Sequence, residues 1–88
     1  MQVSKDYLLR TIAGETILIP SGAAAQKFNG LVTVNEIGAF IWDILKTPTD
    51  LEGLVSRITA EYDVDADTAR RDAEEFLDEL RNVGALED

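Results

Sequence analysis

The spacing of apolar positions changes once along the chain, and that change divides it into two parts. Near the N-terminus, Tyr7–Ile12 alternates, with Tyr7, Leu9 and Thr11 on one face and Leu8, Arg10 and Ile12 on the other, which predicts a strand. Ala13-Gly14 predicts a tight turn, because glycine accepts positive φ at little cost. Thr16–Ile19 reads as the returning strand, and Pro20 ends it because proline has no ladder donor. Ser21–Gln26, with Gly22 and three alanines, reads as a loop. Phe28-Asn29-Gly30 then turns the chain into a third short strand, Leu31–Val34. These runs predict a three-stranded antiparallel sheet.

Beyond Asn35 the period becomes helical. Asn35 can cap a first helix, in which Ile37, Phe40, Ile41, Ile44 and Leu45 form a stripe, flanked by Trp42. Thr49 opens a second helix, with Glu52 at the capping-box spacing. Its stripe is Leu51, Leu54, Val55 and Ile58, and Tyr62-Asp63-Val64 is a linker. Asp65 caps a third helix with a core face of Ala69, Ala73, Phe76, Leu77, Leu80 and Val83, and Gly84 ends it at C′. The expectation is an α+β fold, a three-stranded antiparallel sheet followed by three helices, winged helix-turn-helix-like in outline. At 88 residues it is read as one domain, with strands over about 7–34 and helices over about 36–84.

Composition narrows the chemistry. The chain has no cysteine and no histidine, which removes disulfides, thiolate zinc sites and the usual general base. The three lysines sit in different segments, and no phosphate-binding glycine loop is present, so an enzyme is not expected. No cofactor or resident metal is expected either. One local pattern, Asp63, Asp65, Asp67 and Glu74, has calcium-loop spacing, but Thr68 stands where the sharp turn needs glycine. Helix capping by these aspartates is the preferred reading. No apolar run approaches a membrane span, which predicts a cytoplasmic setting without membrane partners.

Charge is unevenly distributed. Eight basic and seventeen acidic residues give −9. The first 46 residues balance, so the whole excess lies in residues 47–88. A surface of that sign repels phosphate backbones, which argues against nucleic acid and against a groove-reading third helix. Asp72, Glu75 and Glu79 are read as a solvated outer face, with Arg71–Glu75 and Asp78–Arg81 as neighbouring pairs. The third strand is more informative. Gly30–Val34 carries neither charge nor proline, the devices that usually blunt a sheet edge. It is either covered core or an edge open to β-augmentation by an extended peptide.

Several spacings, taken together, resemble a family. Val34-Asn35-Glu36 is followed by Ile41-Trp42-Asp43-Ile44-Leu45, then Thr49-x-x-Glu52 and Glu61-Tyr62-Asp63-Val64. Ala69-x-x-Asp72-x-x-x-Phe76-Leu77-x-x-Leu80-x-x-x-Gly84 completes the series. Over nearly its whole length the chain resembles the PqqD-like family, also called the RiPP recognition element. The resemblance implies a non-catalytic module that binds the leader segment of a ribosomally made precursor peptide. It implies presentation of that leader to a modifying enzyme, often a radical SAM protein, in pyrroloquinoline quinone biosynthesis or another peptide-modification pathway.

The resemblance also implies where the leader sits: as an added antiparallel strand beside the third strand, packed against the third helix. On this chain the strand positions are Leu31, Val32, Thr33 and Val34. For the helix, Arg70, Glu74, Leu77 and Arg81 form one continuous stripe. Leu77 is expected to supply an apolar pocket and the charged members to orient the peptide. A proline at Val32 is expected to remove a ladder donor and abolish binding. The alternative reading is a structural domain that pairs with its own copy through the same strand, so both monomer and homodimer stay open.

Overall fold

Along the chain, the computed structural model, which describes residues 1–27 and 32–88, places β1 (Gln2–Val3), β2 (Tyr7–Ile12), β3 (Glu15–Pro20), α1 (Ala23–Lys27), β4 (Val32–Val34), α2 (Glu36–Ile44), α3 (Leu51–Glu61), α4 (Ala66–Asn82) and β5 (Leu86–Glu87). Ala13 and Gly14, with φ of 53° and 83°, form the positive-φ pair of a type I′ turn, whose twist suits a two-residue hairpin. That turn sets the β2–β3 register from Ile12 opposite Glu15 to Tyr7 opposite Pro20. β3 is the central strand of the antiparallel order β2-β3-β4. β4 pairs with it as Thr16 opposite Val34, Ile17 opposite Thr33 and Leu18 opposite Val32.

The three longer helices share one core with this sheet. The fully buried side chains Ile41, Leu54, Ile58 and Leu80 of these helices, with Leu45 at the α2 C-cap, join Leu18 of β3 there. Trp42 is also buried, at 3% exposure, and not merely a flank of the α2 stripe. The reason is a layer the apolar pattern did not reveal: Val3 of β1 and Tyr7 and Leu9 of β2 lie against the same hollow as Trp42. β1 itself pairs with β5, Val3 opposite Leu86, and is held to the C-cap of α2 by the Val3 N–H bond to the Leu45 carbonyl at 2.9 Å. Strands of two residues have no period to detect, so neither was predicted.

Two further differences concern local structure. Most of the predicted loop 21–26 belongs to α1, where alanine's helix propensity finds support from Ala24 N–H donating to the Ser21 carbonyl at 3.2 Å. The cap of α3 is Asp50 and not Thr49. The Asp50 carboxylate accepts from Gly53 N–H at 2.7 Å, while the Thr49 hydroxyl turns back to the Thr47 carbonyl at 2.9 Å. Glu52, freed from a capping box, pairs with Arg70 of α4 at 2.6 Å.

The other caps agree with the sequence. Asn35 caps α2 through Gly38 N–H at 2.8 Å. Replacing Asn35 with alanine is expected to lower unfolding free energy by about 1 kcal/mol, read as a fall in the urea midpoint without a change in slope. Asp65 caps α4 through Thr68 N–H at 2.7 Å, and α4 runs on through Asp67 and Glu74, so the calcium-loop spacing is spent on a helix start. At the far end, Ala85 N–H bonds the Leu80 carbonyl at 2.8 Å and Gly84 N–H the Arg81 carbonyl at 3.1 Å. With Gly84 at φ 78°, this is the Schellman arrangement.

The Asp65 cap is pH-dependent. The Thr68 N–H holds its carboxyl below the usual carboxylate value of 3.8. A lowered folded-state pKa stabilises at pH above the unfolded value and is lost as pH falls through the folded one. Asp65→Asn keeps a capping oxygen without a charge. The variant is therefore expected to unfold more easily than wild type at pH 7, with the gap closing as urea melts are taken to more acidic pH.

Candidate functional site at the open edge of the sheet

The turn at Ala13-Gly14 fixes more than the hairpin register. In a two-residue hairpin the residues flanking the turn, Ile12 and Glu15, exchange both main-chain bonds, and such pairs alternate along an antiparallel ladder. Even-numbered residues of β2 therefore bond odd-numbered residues of β3. The Ser21 N–H bond to the Asp6 carbonyl at 2.7 Å continues that phase beyond the strand ends. The hydroxyls of Thr11 and Thr16, 3.1 Å apart, meet across one of the intervening pairs, where side chains approach more closely.

Because Ile17 spends its main-chain groups on β2, Thr16 and Leu18 direct theirs to β4. Val34 and Val32 receive those bonds, and Thr33 between them turns its N–H and C=O outward. By the same alternation the N–H of Asn35 points outward too; its carbonyl accepts from Ala39 N–H at 2.9 Å. β4 has β3 as its neighbour on one side, and among the described residues no strand pairs with it on the other. Thr33 is thus the centre of an open row of backbone donors and acceptors.

Beside this edge lies a groove between β4, α2 and α4. Its volume is about 300 Å³, and it is lined by Thr33, Val34, Asn35, Ile37, Gly38, Ile41, Asp72, Glu75, Phe76 and Glu79. Apolar groups of α2, α4 and β4 form the floor, and three carboxylates of α4 form a rim. Gly38 makes the close approach of α2 possible: a Cβ there would sit 2.8 Å from Val34 Cγ1 and 3.0 Å from Phe76 Cε1. A second hollow of about 370 Å³ follows along the edge, lined by Val32, Thr33, Glu79, Asn82 and Val83. Thr33 and Glu79 line both hollows.

The residues predicted from sequence divide into two places. Val32, Thr33 and Val34 form the open-edged strand. Leu31 lies outside the described residues. Arg70, Glu74, Leu77 and Arg81 share a helix face, as their spacing requires, but that face does not border β4. Arg70 reaches Glu52 of α3. Glu74, Leu77 and Arg81 line a separate hollow with Asp50, Leu51 and Asp88. Arg81 is held by Asp78 at 3.3 Å and Asp88 at 3.4 Å, and the Asp88 carboxylate raises its already high pKa. Leu77, only 2% exposed, is core.

The groove beside β4 instead takes the opposite flank of α4, including the three acids read as solvated. Arg71 forms no ion pair with Glu75 among the described residues, whereas Asp78–Arg81 forms as expected.

Residues 15–86 of the chain match the family described as Coenzyme PQQ synthesis protein D. The chain belongs to the PqqD family. Its fold is also that of a solved structure, described as TbiB1 in complex with the TbiA(beta) leader peptide. The two are 31% identical, with a TM-score of 0.75 over 99% of this chain and 95% of that one. No curated protein sequence matches the chain. Among the described residues of this PqqD-family protein, no helix is long and apolar enough to cross a membrane.

Proposed function

We propose that this PqqD-family protein captures the leader segment of a precursor peptide as an added strand on β4. The observation that carries the reading is the outward-facing backbone of Thr33 beside a groove deep enough for side chains. Main-chain bonds along such an edge give affinity, and adjoining hollows select alternate side chains. Family membership and the leader-bound neighbour support the same reading. In this role the protein performs no chemistry. It raises the leader's effective concentration at a modifying enzyme, for which the family resemblance suggests a radical SAM protein.

Self-pairing of two copies through β4 is less favourable. It would bring the rim carboxylates Glu75 and Glu79 of one copy towards those of the other, a like-charge approach with no compensating base among the described residues of the groove.

The test uses a display library of random 12-residue peptides panned against the intact chain. Selected sequences are synthesised and measured by fluorescence anisotropy against wild type and Thr33→Pro. Peptides that bind wild type and lose binding to the proline variant support strand addition. Failure to select any peptide that is sensitive to Thr33→Pro overturns it, as does a tight homodimer that buries β4 in sedimentation equilibrium.

A further inference from the structure

The phase of the ladder determines which side chains of a guest strand are read. Residues opposite one another on adjacent strands share a sheet face. Val34 points towards α2 and α4, within reach of Gly38 and Phe76. Val32, two positions earlier, shares that face and lines the second hollow with Asn82 and Val83. A guest residue opposite Val34 therefore enters the groove rimmed by Asp72, Glu75 and Glu79. The residue opposite Val32 enters the second hollow. The guest residue between them pairs with Thr33 and points to the other face.

The groove has one chemical bias. Its floor of Ile37, Ile41 and Phe76 is apolar, and among the described residues no basic side chain lines it. The four ion pairs among the described residues use Asp43, Glu52, Asp78 and Asp88, leaving Asp72, Glu75 and Glu79 without a cationic partner. An apolar throat with a carboxylate rim suits a side chain with a long aliphatic stem and a positive head. An acidic side chain there would meet three like charges, and a short polar one would leave the floor uncovered.

Resting on the strand-addition reading, we infer that the peptide recognised by this chain carries a lysine or arginine opposite Val34, within the same strand that pairs with Thr33. The residue two positions away in the guest fills the hollow formed by Val32, Val83 and Asn82. In an antiparallel guest the cationic residue comes first and the second anchor follows. The acidic excess of the second half of the chain thereby acts as a selector: it admits a basic guest segment and rejects acidic ones.

The experiment repeats the 12-residue selection on wild type and on Glu75→Gln/Glu79→Gln, whose altered side chains are exposed on α4. Wild type is expected to enrich lysine or arginine at one fixed position. Replacing that lysine with norleucine, or that arginine with citrulline, should weaken binding about tenfold, and added salt should weaken the parent peptide alone. Selection on the double glutamine variant should lose the basic preference while keeping sensitivity to Thr33→Pro. Peptides that depend on Thr33 but show no basic preference, or prefer an acidic residue, overturn this inference and leave strand addition standing. Absence of any Thr33-dependent peptide overturns both.

Discussion

Thr33→Pro is expected to abolish peptide capture while the protein still folds, whereas Val32→Pro is expected to damage the fold itself. The two positions are adjacent on β4, and sequence gives no reason to treat them differently. The hydrogen-bond phase set by the Ala13-Gly14 turn does. The Thr33 N–H faces the open edge, so proline there removes a donor that only a guest would use, and an edge strand tolerates it. The Val32 N–H faces Leu18 on the central strand. Proline at Val32 leaves the Leu18 carbonyl without its partner in a residue that is 1% exposed, a loss of about 1–3 kcal/mol. Proline at Val32, the substitution suggested by sequence, therefore tests stability more than binding. Urea melts of both variants, paired with anisotropy on a selected peptide, separate the two effects. Equal destabilisation by the two prolines, or unimpaired binding by Thr33→Pro, would contradict the derived phase.

Gly38→Ala is expected to weaken both the fold and the site. The added Cβ would lie 2.8 Å from Val34 Cγ1 and 3.0 Å from Phe76 Cε1, and Val34 is buried at 5% exposure. A valine branch at that depth cannot swing away, so β4, α2 or both must shift. Overpacking of this kind destabilises by about 1–3 kcal/mol. Because Val34 anchors the open strand, the displacement also misplaces Thr33 and closes the groove. The double variant Gly38→Ala/Val34→Ala removes the colliding branch. It should therefore be more stable than the sum of the two single losses implies. Strict additivity in urea melts would mean that the two residues do not press on each other.

The sequence disclosed the parts whose signals are local. Alternation gave β2, a glycine-bearing turn gave the hairpin, and asparagine and aspartate before apolar stripes gave the starts of α2 and α4. It did not disclose pairings between distant two-residue segments, as in β1 and β5, or the choice between Thr49 and Asp50. At the site, the edge strand was legible because an unblunted strand edge is a chemical signal in its own right.

The helix side of the groove was not. Periodicity groups Arg70 with Glu74, Leu77 and Arg81, and equally groups Asp72 with Glu75 and Glu79, but it cannot say which flank of a buried stripe meets a sheet and which meets another helix. A charge signal existed: Arg70 and Arg81 had acids available as partners, whereas Asp72, Glu75 and Glu79 exceeded the nearby bases.

Hydrogen exchange at single amides, followed by NMR, reports the state of the β4 edge most directly. In the free protein the Thr33 amide should exchange far faster than those of Val32 and Val34, which donate to β3. Saturation with a selected 12-residue peptide should slow Thr33 by at least about tenfold, bringing it towards its neighbours. A Thr33 amide already as protected as Val32 in the free protein, or one unchanged at saturation, would contradict strand addition at this edge.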